Sequence, residues 1–203
     1  MAKLYFRYGA MNSGKTTALM QVAYNYKERG MRVLILKPAV DTKGQDCIVS
    51  RLGISCKVDV LVTPEMDVVE LVRADAAEHG APACILCDES QFFTPEQAEQ
   101  LFRVTVDLSI PVICYGLRAD FMMRGFPGST RLLELAHTIE ELKTICACGR
   151  KAICNGRKVN GEYVFEGAQV AIDTVDDVQY QSLCPQCWYR EYRAFLARHP
   201  KAE

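Results

Sequence analysis

Apolar and polar positions alternate in blocks along the first part of the chain. Four short runs are apolar almost throughout: Leu4–Tyr8, Arg32–Lys37 around Val33-Leu34-Ile35-Leu36, Ala83–Cys87 and Pro111–Tyr115. Such runs suit parallel strands covered on both faces, where no side of the strand meets water. Lys57–Val62 predicts a further strand. Between the runs the spacing turns helical. Lys15–Arg29 puts Ala18, Leu19, Val22, Ala23 and Tyr26 on one face, and Gly30 suits the left-handed residue that closes a helix. Thr63-Pro64-Glu65 predicts a helix start, with Thr63 as N-cap and the helix running to about Glu78 before Gly80 and Pro82. Thr94-Pro95-Glu96-Gln97 reads as a capping box opening the next helix. Asp41–Gly53 is polar, carries two glycines and predicts a loop. Strand–helix alternation of this kind predicts an α/β fold: a parallel sheet covered by helices and joined by right-handed crossovers.

The pattern changes after about Thr144. Short β-like pieces replace the alternation, with Asn-Gly turns predicted at Asn155-Gly156 and Asn160-Gly161. A last helix is expected over Tyr189–Arg198. Two domains follow from this change, residues 1–144 and 145–203.

Charge and composition narrow the function. The 24 Lys+Arg and 25 Asp+Glu leave a net charge of -1, which argues against coating nucleic acid or an anionic membrane. No apolar run approaches the roughly 18–20 residues of a membrane span, and the N-terminus lacks a signal-peptide core. A cytoplasmic protein with no nucleic-acid or membrane partner is expected. Ten cysteines are many for that compartment, where disulfides are rare. They are either small buried hydrophobes or metal ligands.

Gly9-Ala10-Met11-Asn12-Ser13-Gly14-Lys15-Thr16 fits G-x-x-x-x-G-K-[S/T] between a predicted strand and a predicted helix. The glycines allow turns whose N–H groups face phosphate oxygens, and the helix N-terminus adds positive potential. Lys15 can reach the β/γ-phosphates, and the Thr16 hydroxyl can ligate Mg²⁺. Ala83–Cys87 ends in Asp88-Glu89. An acid at the carboxyl end of such a strand can hold Mg²⁺, while its neighbour faces the second substrate as base. The competing reading is a pair of solvated acids in a turn.

Cys146-x-Cys148 and Cys184-x-x-Cys187 form two knuckles suited to a tetrahedral structural zinc ion. Buried thiols or a redox Cys-x-x-Cys are the alternatives. Cys84, Cys87 and Cys114 fall in predicted buried strands, and Cys47, Cys56 and Cys154 lack metal spacing. His79, His137 and His199 have no visible catalytic partner and read as helix residues.

Taken in order, Gly9–Thr16, Asp88-Glu89-Ser90-Gln91-Phe92, Tyr115–Phe121 and the two knuckles resemble the thymidine kinase family of the cellular, type II kind. The resemblance runs from Lys3 to about Tyr192. It implies a RecA-like P-loop core with a small C-terminal zinc-ribbon domain bearing a lasso-like loop. It implies transfer of the γ-phosphoryl of ATP, with Mg²⁺, to the 5′-hydroxyl of thymidine, giving thymidine monophosphate for DNA synthesis. Glu89 is then the general base and Lys15 the catalytic cation. The loop Gly9–Thr16 with Asp88, Glu89, Ser90 and Gln91 forms the ATP site, and Thr16 and Asp88 take the magnesium positions. Phe121 lines the thymine pocket, Tyr180 touches the nucleoside, and lasso backbone at Val170, Ala171, Ile172 and Asp173 bonds the base. The family also implies a homotetramer or dimer and feedback inhibition by thymidine triphosphate. Arg51 lies in the predicted loop, either near the phosphates or solvated.

Overall fold

The computed structural model describes residues 1–41, 46–50, 53–169 and 177–199, and they divide into two compact units. The first unit takes Met1–Tyr8, Gly14–Arg118 and Phe126–Glu141. Its elements in chain order are β1 (Leu4–Tyr8), α1 (Lys15–Glu28), β2 (Val33–Pro38), β3 (Cys47–Val49), β4 (Ser55–Lys57), β5 (Val60–Val62), α2 (Val68–His79), β6 (Cys84–Cys87), α3 (Pro95–Asp107), β7 (Val112–Gly116), α4 (Pro127–Leu135) and β8 (Thr138–Glu141). Six strands form one sheet in the order β5-β2-β6-β7-β1-β8, and each neighbouring pair is parallel. Every position of β2 and β6 is buried, as their unbroken apolar runs require. The strands β1 and β6 end at the same side of the sheet with β7 between them.

Local chemistry explains most boundaries. The capping box at α3 is present: the Thr94 hydroxyl accepts from Gln97 N–H, and the Gln97 side chain accepts from Thr94 N–H. Helix α2 begins later than Thr63-Pro64 suggested. The Asp67 carboxylate accepts from Val69 and Glu70 N–H and is the true cap. Thr63–Met66 is a turn instead, and Gln97 Nε2 donates to the carbonyls of Thr63 and Met66. Part of the expected 41–53 loop is also structured, because Cys47–Val49 pairs antiparallel with Ser55–Lys57 and buries Ile48. Helix α4 and strand β8 carry no strong sequence signal. Gly128 lets α4 sit close to the turn after β6, since a Cβ there would lie 2.2 Å from the Phe93 carbonyl oxygen. His137 is not a helix residue: its Nδ1 accepts the Leu4 N–H at 3.0 Å, and its ring stacks on Phe102.

The second unit takes Gly9–Ser13, Ala119–Gly125 and the chain from Leu142 onward. It contains β9 (Thr144–Ile145), β10 (Lys151–Ala152), β11 (Cys154–Val159), β12 (Glu162–Val164), β13 (Val178–Leu183) and α5 (Pro185–Arg198). Strand β11 lies between β12 and β13 in an antiparallel sheet, and β9 pairs with β10. Asn160-Gly161 makes the expected hairpin turn, with φ of 51° and 85°. Asn155-Gly156 makes no turn. Both residues lie inside β11, opposite Ser182 and Gln181. Gly156 is there for space, because a Cβ would come within 2.8 Å of the Tyr163 ring. Helix α5 starts at Pro185, earlier than Tyr189, since Cys184 serves as its N-cap. Phe165 packs against Trp188, Tyr192 and Phe195 to form the core of this unit.

Candidate active site

The loop Gly9–Thr16 is continuous in the chain, and its residues divide between the units at Ser13-Gly14. Gly9 cannot carry a side chain, since a Cβ would lie 2.3 Å from Ser13 Oγ and 2.6 Å from the Leu142 carbonyl oxygen. Asn12 and Gly14 both adopt left-handed backbone, with φ of 63° and 77°, which curls the loop. Gly14 caps α1 without a side chain, so the positive end of that helix is not screened by a capping oxygen. Lys15 opens α1 and is buried.

Within the first unit Lys15 acts on Asp88. Burial above all, with the neighbouring Glu89 charge, raises the Asp88 carboxyl to about 7, against the downward pull of the Glu89 backbone hydrogen bond and of Lys15. A carboxylate in that position is a natural partner for a second cation. Glu89 itself has φ 44° and ψ 40°, a left-handed conformation that costs a non-glycine residue roughly 1 kcal/mol or more. Its Oε2 accepts from Gln91 Nε2 at 2.5 Å, and Gln91 Oε1 accepts the Leu117 N–H at 2.9 Å. The chain leaving β7 thereby aims the Glu89 carboxylate through Gln91. Gly116 makes room for this, because a Cβ would sit 2.6 Å from Ser90 Oγ and 3.0 Å from Gln91 Oε1.

Within the second unit Phe121 is buried, and the Arg157 guanidinium lies 3.7 Å from its ring centroid. Arg157 donates to the carbonyls of Glu166 and Ala168 at 2.9 and 2.8 Å. Trp188 Nε1 donates to the Phe121 carbonyl at 2.9 Å. Asp120 accepts the N–H groups of Met122 and Arg124 and the side chain of Gln169. Tyr180 is half-buried in β13, opposite Arg157. Buried Asn155 accepts the Met11 N–H at 2.8 Å and donates to the Ala119 carbonyl at 2.7 Å. Sequence reasoning gave no such role to Asn155, Arg157 or Asp120 in the second unit, nor to Gly116 in the first. Val170, Ala171, Ile172, Asp173 and Arg51 lie outside the described residues.

The sulfur atoms of Cys146, Cys148, Cys184 and Cys187 all lie within 4.8 Å of one another, and Cys148 and Cys184 Sγ are 3.6 Å apart. A tetrahedral zinc ion with sulfur at about 2.3 Å needs S–S edges of about 3.8 Å, so the donor set fits. The two knuckles arrive on different elements. Cys146 and Cys148 flank a turn closed at Gly149, whereas Cys184 follows β13 as the N-cap of α5 and Cys187 lies in the first turn of that helix. Cys148 is pulled down to about 6, chiefly by the Arg150 backbone N–H, and Cys187 is pushed up to about 12 by its thiol neighbours. So many thiols in one place favour a shared cation over shared protons.

A family model described as thymidine kinase matches residues 2–188. The chain belongs to the thymidine kinase family. The thymidine kinase of Ruegeria pomeroyi is 47% identical over 190 residues, covering 93% of this chain and 94% of the relative. That of enterobacteria phage T4 is 44% identical over 190 residues, covering 93% and 96%. That of Chromobacterium violaceum is 45% identical over 193 residues, covering 94% and 100%. Membership makes the protein a transferase that phosphorylates thymidine. The expected parallel P-loop sheet, the helical cover and the C-terminal cysteine cluster of a thymidine kinase are all present. Among the described residues no helix is long and apolar enough to cross a membrane.

Proposed function

We propose that this thymidine kinase transfers the γ-phosphoryl of ATP to the 5′-hydroxyl of thymidine, with Glu89 as general base. The observation that carries the reading is the strained, Gln91-aimed carboxylate of Glu89 directly after buried Asp88. A neutral sugar hydroxyl is a weak nucleophile. Glu89 takes its proton as the new oxygen–phosphorus bond forms, and the bond from the γ-phosphorus to the bridging oxygen breaks to release ADP. Lys15 and N–H groups of the loop Gly9–Thr16 other than that of Met11 stabilise charge on the phosphoryl oxygens. Asp88 and the Thr16 hydroxyl would hold Mg²⁺, which supplies further charge neutralisation when bound. Ser90 and Gln91 complete the ATP-site segment, with Gln91 aiming the base.

Phe121 and Tyr180 are read as nucleoside contacts, together with the backbone at Val170, Ala171, Ile172 and Asp173. The four cysteines would hold a structural zinc ion that stabilises the domain spanning residues 145–203 and takes no part in the chemistry. Assembly into a homotetramer and inhibition by thymidine triphosphate belong to the same reading; gel filtration examines the first, and the rate of ADP release with that nucleotide added examines the second. The central test is Glu89→Gln. The variant should bind ATP as the parent does and lose about 100-fold or more in thymidine-dependent ADP release. A rate near that of the parent would remove Glu89 from the role of base. A nucleoside panel with ATP and Mg²⁺ defines the acceptor.

A further inference from the structure

Asn155 is a polar side chain buried near the start of β11, and both ends of its carboxamide are used. The oxygen accepts the Met11 N–H of the phosphate loop, and the nitrogen donates to the Ala119 carbonyl. The two segments are otherwise far apart in sequence. One begins the loop read as the ATP site, and the other carries Phe121, read as a thymine contact. We propose that Asn155 is a positioning residue that couples these two segments, so that nucleoside bound at one raises affinity for nucleotide at the other. The proposal rests on the ATP and thymidine sites given above.

Three observations support transmission through this side chain. The Met11 N–H is committed to Asn155, so the curvature of Gly9–Ser13 depends on where Asn155 stands. Ala119–Gly125 is a stiff segment: Ala119 bridges Gly125, and the Asp120 carboxylate holds the N–H groups of Met122 and Arg124. A displacement at Ala119 therefore moves Phe121 with it. Finally, β11 pairs with β13 along its whole length, with Asn155 opposite Ser182, which gives Asn155 a firm base. Only a carboxamide of this length serves both ends. Aspartate keeps the acceptor for Met11 but turns an oxygen toward the Ala119 carbonyl, and alanine leaves two backbone groups unpaired.

Coupling is a ratio of affinities and is reciprocal between the sites. The test is calorimetric titration of full-length, zinc-loaded enzyme with a non-hydrolysable ATP analogue and Mg²⁺, with and without saturating thymidine. The parent should show analogue affinity raised about 5-fold or more by thymidine, and thymidine affinity raised by the same factor by the analogue. Asn155→Ala and Asn155→Asp should both bring that factor to within about 2-fold of unity. A merely structural role would weaken both ligands and leave the factor unchanged. Zinc stoichiometry and melting temperature identify variants that fail to fold, and the isosteric Asn155→Asp is retained for that reason. An unchanged factor in a folded variant, or a factor of one in the parent, overturns the proposal while the assigned function stands. If Lys15→Ala leaves analogue affinity at the parent value, the ATP-site reading fails and the coupling falls with it.

Discussion

The two units of this enzyme hold functional groups in place by different means. The first unit buries β2 and β6 at every position and builds its core from their side chains with those of α2 and α3. Apolar area removed from water supplies its stability. The second unit has short antiparallel strands, one helix and a small core around Phe165. Four of its core members are cysteines, and three of these, Cys146, Cys184 and Cys187, belong to the quartet. Its packing and its proposed metal ligands thus share residues. One unit depends on hydrophobic area, and the other is proposed to depend on a cation as well.

Removal of zinc should break the comparison most sharply. Structural zinc sites contribute about 10 kcal/mol or more to small domains. Chelation, or Cys184→Ser, should abolish activity and hydrogen-exchange protection in β11 and α5, while the amides of β2 and β6 stay protected. Retention of one equivalent of zinc by Cys184→Ser would argue against the quartet. The complementary lesion is Leu86→Ala, at a fully buried position of β6. It should cost about 2–5 kcal/mol in urea unfolding of the first unit and leave zinc content at one equivalent. Loss of zinc in that variant would show the units to be inseparable in stability.

Smaller effects sharpen the contrast within the first unit. Gly116→Ala should press on Ser90 Oγ and Gln91 Oε1 and spoil the aim of Glu89. Misplacement of a catalytic group by about 1 Å can cost about 100-fold in rate, so kcat should fall far more than stability. An equal fall in melting temperature and no change in kcat would refute the aiming role. Smallest of all, Asp67→Ala should destabilise by about 1 kcal/mol through loss of the α2 cap. Thr63→Ala should change stability by about 0.5 kcal/mol or less in the same denaturation assay.

That last pair marks where the sequence was misleading. Thr63-Pro64 has the right residue types for a helix start, but Gln97 ties up the carbonyls of Thr63 and Met66 and leaves the cap to Asp67. A tertiary contact overrode a local preference. Asn155-Gly156 misled for the same kind of reason. The dipeptide favours a turn in isolation, yet Gly156 is needed for clearance beside Tyr163 and Asn155 for its two hydrogen bonds. Strand β8 was invisible because it is an edge strand with three exposed positions of four and has no apolar run. What was legible is what backbone geometry dictates. The phosphate loop needs glycine at 9 and 14, the acids follow an apolar strand, and the capping box of α3 is wholly local. The aim of Glu89 was not legible, since it depends on Gly116 and Leu117, which lie far along the chain from Glu89.

The division of the phosphate loop between the units also sets an order of events during synthesis. Met11 leaves the ribosome early, but the side chain that fixes its N–H follows 144 residues later. At roughly 5–20 residues per second that is a delay on the order of 7–29 s. The parallel sheet can begin to form during this interval, while the start of the loop still lacks its anchor. A chain broken off before β11 would carry the Gly-Lys-Thr signature and the acidic pair without the bond that holds Met11. The anchor of Met11 is thereby complete only in chains translated through β11.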